Sequence, residues 1–185
     1  MRKLIESSFV SVDGYVSAEK LAPHWSAENK AYALAELEDC DAFLFGRKTY
    51  ELFAPRWSKI EGDPYMELIG RMPKHIASTT LRDSQLIWNA SLLVGSIPKA
   101  VTRLKELPGK NIIKYGTGDL DRSLIAHRLV DEFRFSIFPI ALGQGKRLFE
   151  GCSTLGLTLT LLESKTFDNG IVRVRYAASY ADSAA

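Results

Sequence analysis

The strongest constraint on this chain is a rhythm: short apolar runs alternate with amphipathic stretches of helical length, and the pattern closes on two long strand-like segments around Asp168-Asn169-Gly170. Lys3–Val10, Ala42–Phe45, Lys74–Ser78, Asn111–Tyr115 and Glu132–Phe138 read as strands. Ser26 is an N-cap candidate, and a helix from there puts Ala27, Ala31, Leu34 and Ala35 on one face before ending near Asp39. Asp63-Pro64 joins an N-cap to proline at the first helical position, so Tyr65–Met72 is expected to be a short helix. Pro98–Leu107, stopped by Pro108-Gly109, and Leu120–Leu129 are the remaining helices. Leu157–Phe167 and Ile171–Tyr180 flank the Asp-Asn-Gly hairpin signal.

Strands that alternate with helices and end in a hairpin predict an α/β fold: a mixed, mostly parallel sheet flanked by helices, with an antiparallel C-terminal hairpin at its edge. No linker or low-complexity segment interrupts it, so residues 1–180 are expected to form a single domain and 181–185 a flexible tail. A chain of 185 residues that is 46% hydrophobic can bury a core without disulfides or metals. Cys40 and Cys152 form no CxxC pair, which predicts reduced thiols and a cytoplasmic setting. A net charge of +2 argues against a surface built to coat nucleic acid or an anionic membrane, and no apolar run approaches spanning length. His24, His75 and His127 lack metal-ligand spacing, so no metal is expected. Ser7, Ser8 and Ser11 lie in no nucleophile-elbow motif.

Ligands of open α/β sheets gather beyond the carboxyl ends of the strands. Three such ends carry unusual residues. Gly46-Arg47-Lys48-Thr49 follows Ala42–Phe45, where a helix start and a guanidinium fork suit phosphate, although a glycine turn with solvated cations fits the same residues. Ser78, Thr79 and Thr80 bring three hydroxyls that can donate to phosphate or close a turn. Tyr115-Gly116-Thr117-Gly118-Asp119-Leu120 places two glycines between strand and helix, where backbone N–H groups can approach a pyrophosphate; as a Rossmann fingerprint it fails, because the third glycine position holds Asp121. Together the three turns suit a dinucleotide, and the cations beside hydroxyls suit the 2′-phosphate of NADPH.

Phe45-Gly-Arg-Lys-Thr-Tyr50, Ser78-Thr79-Thr80 and Tyr115–Leu120 resemble, in that order, the cofactor-phosphate motifs of dihydrofolate reductases. Ser11-Val-Asp-Gly-Tyr-Val16 and Pro139–Gly151 (PIALGQGKRLFEG) are more similar to the reductase domain of bacterial riboflavin biosynthesis. The resemblance covers nearly the whole chain and implies a dihydrofolate-reductase-like sheet, NADPH as cofactor, and a homodimer joined through the C-terminal strands. It departs from the folate reducers where their first-helix acid falls on Lys30, with Glu28 nearby, and 185 residues leave no room for the deaminase domain that usually accompanies the riboflavin-pathway reductase.

The expected activity is NADPH-dependent reduction of a small pyrimidine- or pterin-type heterocycle; the alternative is a non-catalytic nucleotide-binding module on the same fold. Asp13 is the candidate proton source, or else a turn-stabilising carboxylate. On the substrate side, Trp25 either stacks on a heterocycle or staples the helix start, and Glu28 is either a substrate ligand or a solvated first-turn acid. Glu150 either binds substrate, as the riboflavin-reductase resemblance suggests, or closes its loop. Arg173 and Arg175 alternate with Val172, Val174 and Tyr176, the pattern of a strand with one wet face at a subunit contact.

Overall fold

The computed structural model describes residues 1–153 and 156–181, so residues 182–185 of the expected tail lie outside the described residues. In chain order the elements are β1 (Leu4–Ser11), β2 (Tyr15–Val16), α1 (Ala18–Leu21), α2 (Ala27–Leu37), β3 (Cys40–Gly46), α3 (Arg47–Trp57), α4 (Pro64–Arg71), β4 (Lys74–Ala77) and β5 (Ala90–Leu92). They continue with α5 (Ile97–Glu106), β6 (Asn111–Tyr115), α6 (Asp119–Ala126), β7 (Glu132–Phe138), β8 (Lys146–Arg147), β9 (Leu157–Thr166) and β10 (Val172–Tyr180). The sequence reading takes residues 1–180 as one domain; the contacts gather in two compact units, one formed by residues 1–3 and 27–115, the other by 4–26 and 116–185.

In the first unit, β5, β4, β3 and β6 lie side by side and all run parallel. Phe43, Leu44 and Phe45 are consecutive and fully buried, as a strand covered on both faces requires. Asp63 caps α4 by accepting from the backbone N–H groups of Tyr65 and Met66, and Lys30 from α2 pairs with its carboxylate. The other end of α4 is closed by Lys74, whose buried ammonium donates to the carbonyls of Ile69 (2.7 Å) and Gly70 (2.8 Å) and lies 4.1 Å from the centre of the Trp88 ring. Burial pushes the Lys74 pKa down to about 8.

In the second unit, β1 and β7 pair in parallel from Ile5 opposite Glu132 to Ser11 opposite Phe138. β10 lies antiparallel to β7, and β9 antiparallel to β10 at the edge. The hairpin joining β9 and β10 turns at Asp168–Gly170, with Gly170 at φ 79° and its N–H donated to Phe167 O. Residue 181, the first of the expected tail, is tied by its N–H to Gly156 O.

β10 does not have the wet face expected of it. Arg173 is only 6% exposed, and its neighbours form a closed charge group: Arg134 Nε lies 2.6 Å and Arg175 Nε 3.0 Å from one oxygen of the buried Glu132, while Arg175 Nη1 reaches Glu163 at 2.9 Å. Burial alone pushes the Glu132 pKa up, but Arg134 and Arg175 outweigh it and hold the carboxyl below its ordinary value. Residue alternation reports the polarity of a face; it does not report whether polar partners within the sheet cover that face.

Candidate functional site

Parallel pairing brings the first unit's strand ends level. Gly46 at the end of β3 stands opposite Ala77 at the end of β4, and Leu44 stands opposite Lys114, so β6 ends at Tyr115 in the same row. Neighbouring strands are about 4.8 Å apart, so the last residues of these three strands lie within about 10 Å of one another.

Each turn has its own local chemistry. Gly46 is extended and offers α3 no side-chain cap, leaving the helix start without the oxygen that usually satisfies its first N–H groups. Arg47 sits in the first turn of α3 and leans on Glu51 at 3.1 Å, a surface pair that a phosphate can outcompete. Lys48 is exposed and Thr49 half-buried beside it. After β4, Ser78 Oγ accepts from the N–H groups of Thr80 (3.1 Å) and Leu81 (3.0 Å), so its hydroxyl closes the turn while Thr79 and Thr80 remain exposed. After Tyr115, Gly116 takes φ 73° and Gly118 is extended; a Cβ at either would meet nothing within 4 Å. Asp121 accepts from the Gly118 N–H and so fixes the start of α6, where Asp119 and Leu120 stand. Between the glycines, Thr117 Oγ1 is buried and has no hydrogen-bond partner among the described residues. A buried hydroxyl in want of a partner, set between two glycines with open space above them, fits a phosphate oxygen.

Three donors hold Asp13. Ser11 Oγ donates to it at 2.6 Å, and the backbone N–H groups of Leu142 (3.1 Å) and Gly143 (2.8 Å) donate from across the loop after β7. The Ser11 hydroxyl, followed by the Gly143 N–H, holds the pKa down from 3.8 to about 2. These three bonds give Asp13 the turn-stabilising role that the sequence also allowed, with its carboxylate pinning the loop. Because the folded pKa lies below the unfolded one, this contribution is complete above about pH 4 and lost as pH falls towards 2. Asp13→Asn should therefore flatten the pH dependence of stability in that window, as denaturant melts at both ends of it would show; an unchanged slope would mean the three bonds do not persist in solution.

The remaining substrate candidates divide. Trp25 is half-buried and packs on Phe9 with ring centres 5.2 Å apart. Glu28 is exposed in the first turn of α2. Glu150 accepts from the Arg147 N–H at 2.8 Å, which is the loop-closing role. Sequence reasoning missed two features. Tyr65 and Tyr115 bring their hydroxyls within 2.6 Å, and Arg173 is held by Ser7 and Ser136. Only the Tyr115 end of the first carried a signal, by standing at a strand end. Among the described residues no group of three or more histidine, cysteine or acidic side chains is placed to hold a metal, and no helix is long and apolar enough to cross a membrane.

Comparison with known proteins identifies the fold and the family. A family model described as the RibD C-terminal domain matches residues 2–173. The uncharacterized protein YyaP of Bacillus subtilis (strain 168) is 31% identical over 182 residues, which covers 95% of this chain and 94% of that one. Among solved structures, a putative riboflavin biosynthesis protein from Shewanella sp. PV-4 matches with a TM-score of 0.74 at 21% identity, over 96% of this chain and 99% of the other. The diaminohydroxyphosphoribosylaminopyrimidine deaminase/5-amino-6-(5-phosphoribosylamino)uracil reductase of Thermotoga maritima matches at 0.70 and 11%, over 96% of this chain and 57% of its own. Schistosoma mansoni dihydrofolate reductase matches at 0.59 and 14%, over 95% and 98%. At such identities these structures speak to the fold, which is the dihydrofolate-reductase-like α/β sheet expected from the sequence. The family match runs from the start of β1 into β10, taking in every turn described above, and on that extent this chain belongs to the RibD C-terminal domain family.

Proposed function

We propose that this protein is an NADPH-dependent reductase of a small pyrimidine- or pterin-type heterocycle. The observation that carries the reading is the Gly116-Thr117-Gly118 turn, with a buried hydroxyl unpartnered among the described residues and open glycines on either side of it. Relatives named as a uracil reductase and a dihydrofolate reductase share the fold and support the reaction class. The cofactor, when bound, supplies the hydride. Thr117 Oγ1 and the backbone of Gly116 and Gly118 hold the pyrophosphate. The uncapped start of α3 and the Arg47 fork hold the 2′-phosphate, and Thr79 and Thr80 border it.

Calorimetric titration with NADPH and with NADH, at matched ionic strength, tests this. NADPH should bind more tightly. Arg47→Ala should weaken NADPH by about 1.5–3 kcal/mol, the usual contribution of a hydrogen bond to a charged group, and leave NADH nearly unchanged. Equal losses would remove Arg47 from the 2′-phosphate.

One observation favours a second reading, a nucleotide-binding module without catalysis. The position where the folate reducers' first-helix acid falls is Lys30, and its ammonium is engaged with Asp63. Tight NADPH binding with no oxidation in the presence of either dioxopyrimidines or pterins would select that reading. Self-association through the C-terminal strands belongs to the same proposal: β9 ends the strand order and exposes Leu161 and Leu162. Light scattering should then give the mass of a dimer, in a protein that works in the cytoplasm.

A further inference from the structure

The connection from β4 to β5 in the first unit is held at a point that the cofactor turns do not account for. Gly46 and Ala77 stand side by side at the ends of β3 and β4, so α3 and residues 78–89 leave the sheet from neighbouring positions. β4 and β5 are parallel, a pairing whose crossover is usually a helix; here the crossover is a strap with a three-residue 3₁₀ turn at Asp83–Gln85. Ser78 Oγ shapes its start, and in its middle the Arg82 N–H donates to Gln85 Oε1 at 2.8 Å. Those bonds shape the strap without tying it to α3. Tyr50 ties it. Its hydroxyl accepts the Ile87 N–H at 2.8 Å and donates to the Ile87 carbonyl at 2.9 Å, the pair of bonds that a facing strand residue would otherwise exchange with it.

The far end of the strap shows why a hydroxyl is needed there. Trp88 and Asn89 take left-handed backbone, at φ 62° and 53°, which a tryptophan keeps only where its surroundings hold it. Lys74 holds them from below: its backbone N–H donates to Asn89 O at 2.9 Å, and its ammonium lies against the Trp88 ring. Tyr50 acts on the residue before Trp88, from the α3 side. Its side chain is buried at 3% exposure, whereas Ile87 is 48% exposed, so a core side chain reaches out to a peptide near the surface. Tyr50 also stands three residues after Arg47, in the opening turn of the helix whose start is uncapped. One residue thus joins the Arg47 end of α3 to the strap that carries Thr79 and Thr80. Core packing alone would be served by a phenylalanine, as at Phe43 and Phe45; the joint needs the hydroxyl.

Resting on the reductase reading above, we infer that Tyr50 is a positioning residue for cofactor selectivity: its hydroxyl holds the 78–89 strap against α3, so that Thr79, Thr80 and the Arg47 end of the helix form one preset wall for the 2′-phosphate. Without the hydroxyl, the strap is ordered at the moment the phosphate binds. That ordering entropy weakens any nucleotide that uses the wall. NADH, with a hydroxyl in place of the phosphate, gains little from the wall and loses little with it.

Calorimetric titration of the full chain and of Tyr50→Phe with NADPH, with NADH and with adenosine 2′,5′-bisphosphate tests this, together with amide hydrogen exchange of both proteins. Tyr50→Phe should weaken NADPH and the bisphosphate by about five- to twenty-fold and NADH by less than about two-fold. The Ile87 amide should exchange about ten-fold faster or more while the amides of Phe43–Phe45 stay protected, which separates a released strap from a lost fold. Equal losses for NADPH and NADH, unchanged NADPH affinity, an Ile87 amide that exchanges as before, or lost protection in β3 would each overturn the inference and leave the reductase reading in place. A natural protein that binds the bisphosphate with this dependence on Tyr50, yet binds no NADPH, would keep the positioning role and sink the reductase reading alone. Binding of none of the three would overturn both.

Discussion

Glu132→Gln should destabilise the protein by about 3–5 kcal/mol, the usual consequence of stripping a buried charge of its partner. Glu132 and Arg134 are each about 3% exposed in their side chains, and the same carboxylate oxygen also serves Arg175. The substitution preserves shape and removes only the negative charge, leaving the Arg134 guanidinium buried beside a neutral amide. Arg175 also reaches Glu163, whereas Arg134 Nε lies 2.6 Å from the carboxylate whose charge the substitution removes. Denaturant melts of the single variant and of Glu132→Gln with Arg134→Met separate charge from packing. The double variant should regain much of the loss, since replacing a buried pair by apolar groups is often neutral. A single-variant loss below about 1 kcal/mol would place the pair in water, where such bridges contribute little.

Gly118→Val should lower NADPH affinity by on the order of a hundred-fold, about 2.7 kcal/mol, while changing stability by about 1 kcal/mol or less. The contrast follows from two features of one residue. Gly118 is extended at φ −158°, a conformation open to any side chain, and a Cβ placed there meets nothing within 4 Å among the described residues. The empty space matters only if a ligand occupies it. A branched side chain would fill the approach through which a pyrophosphate meets the backbone. Gly116, at φ 73°, is the wrong position for this test, because strain would confound fold with binding. Unchanged NADPH affinity in a folded Gly118→Val protein would move the pyrophosphate away from this turn.

Most of the architecture was legible because it is locally encoded. Asp63-Pro64 starts α4 with bonds to residues two and three positions away, and the Asn-Gly pair sets the β9–β10 turn within itself. Local encoding also explains the three candidate phosphate turns, each a few consecutive residues at a strand end. What the sequence could not show depends on partners far along the chain. Asp13 looks free to donate a proton until Leu142 and Gly143, about 130 residues later, close on it. Arg173 reads as solvated until Ser7, 166 positions earlier, is found beneath it. Lys74 would be placed at a surface by its type; it lies buried because the free carbonyls of α4 need a donor.

The pairing of β1 with β7 has a consequence for how the chain is made. Ile5 waits for Glu132, which follows it by 127 residues, whereas β3 finds β4 within the next few dozen. At ribosomal rates of about 5–20 residues per second, Ile5 emerges roughly 6–25 s before Glu132 of β7 exists. Through that interval a strand with the apolar run Leu4-Ile5 and Phe9-Val10 has no β7 to add to. Glu6 and the serines Ser7, Ser8 and Ser11 interrupt the apolar residues of this strand, and a charge and hydroxyls at such positions lower the tendency of an unpaired strand to aggregate.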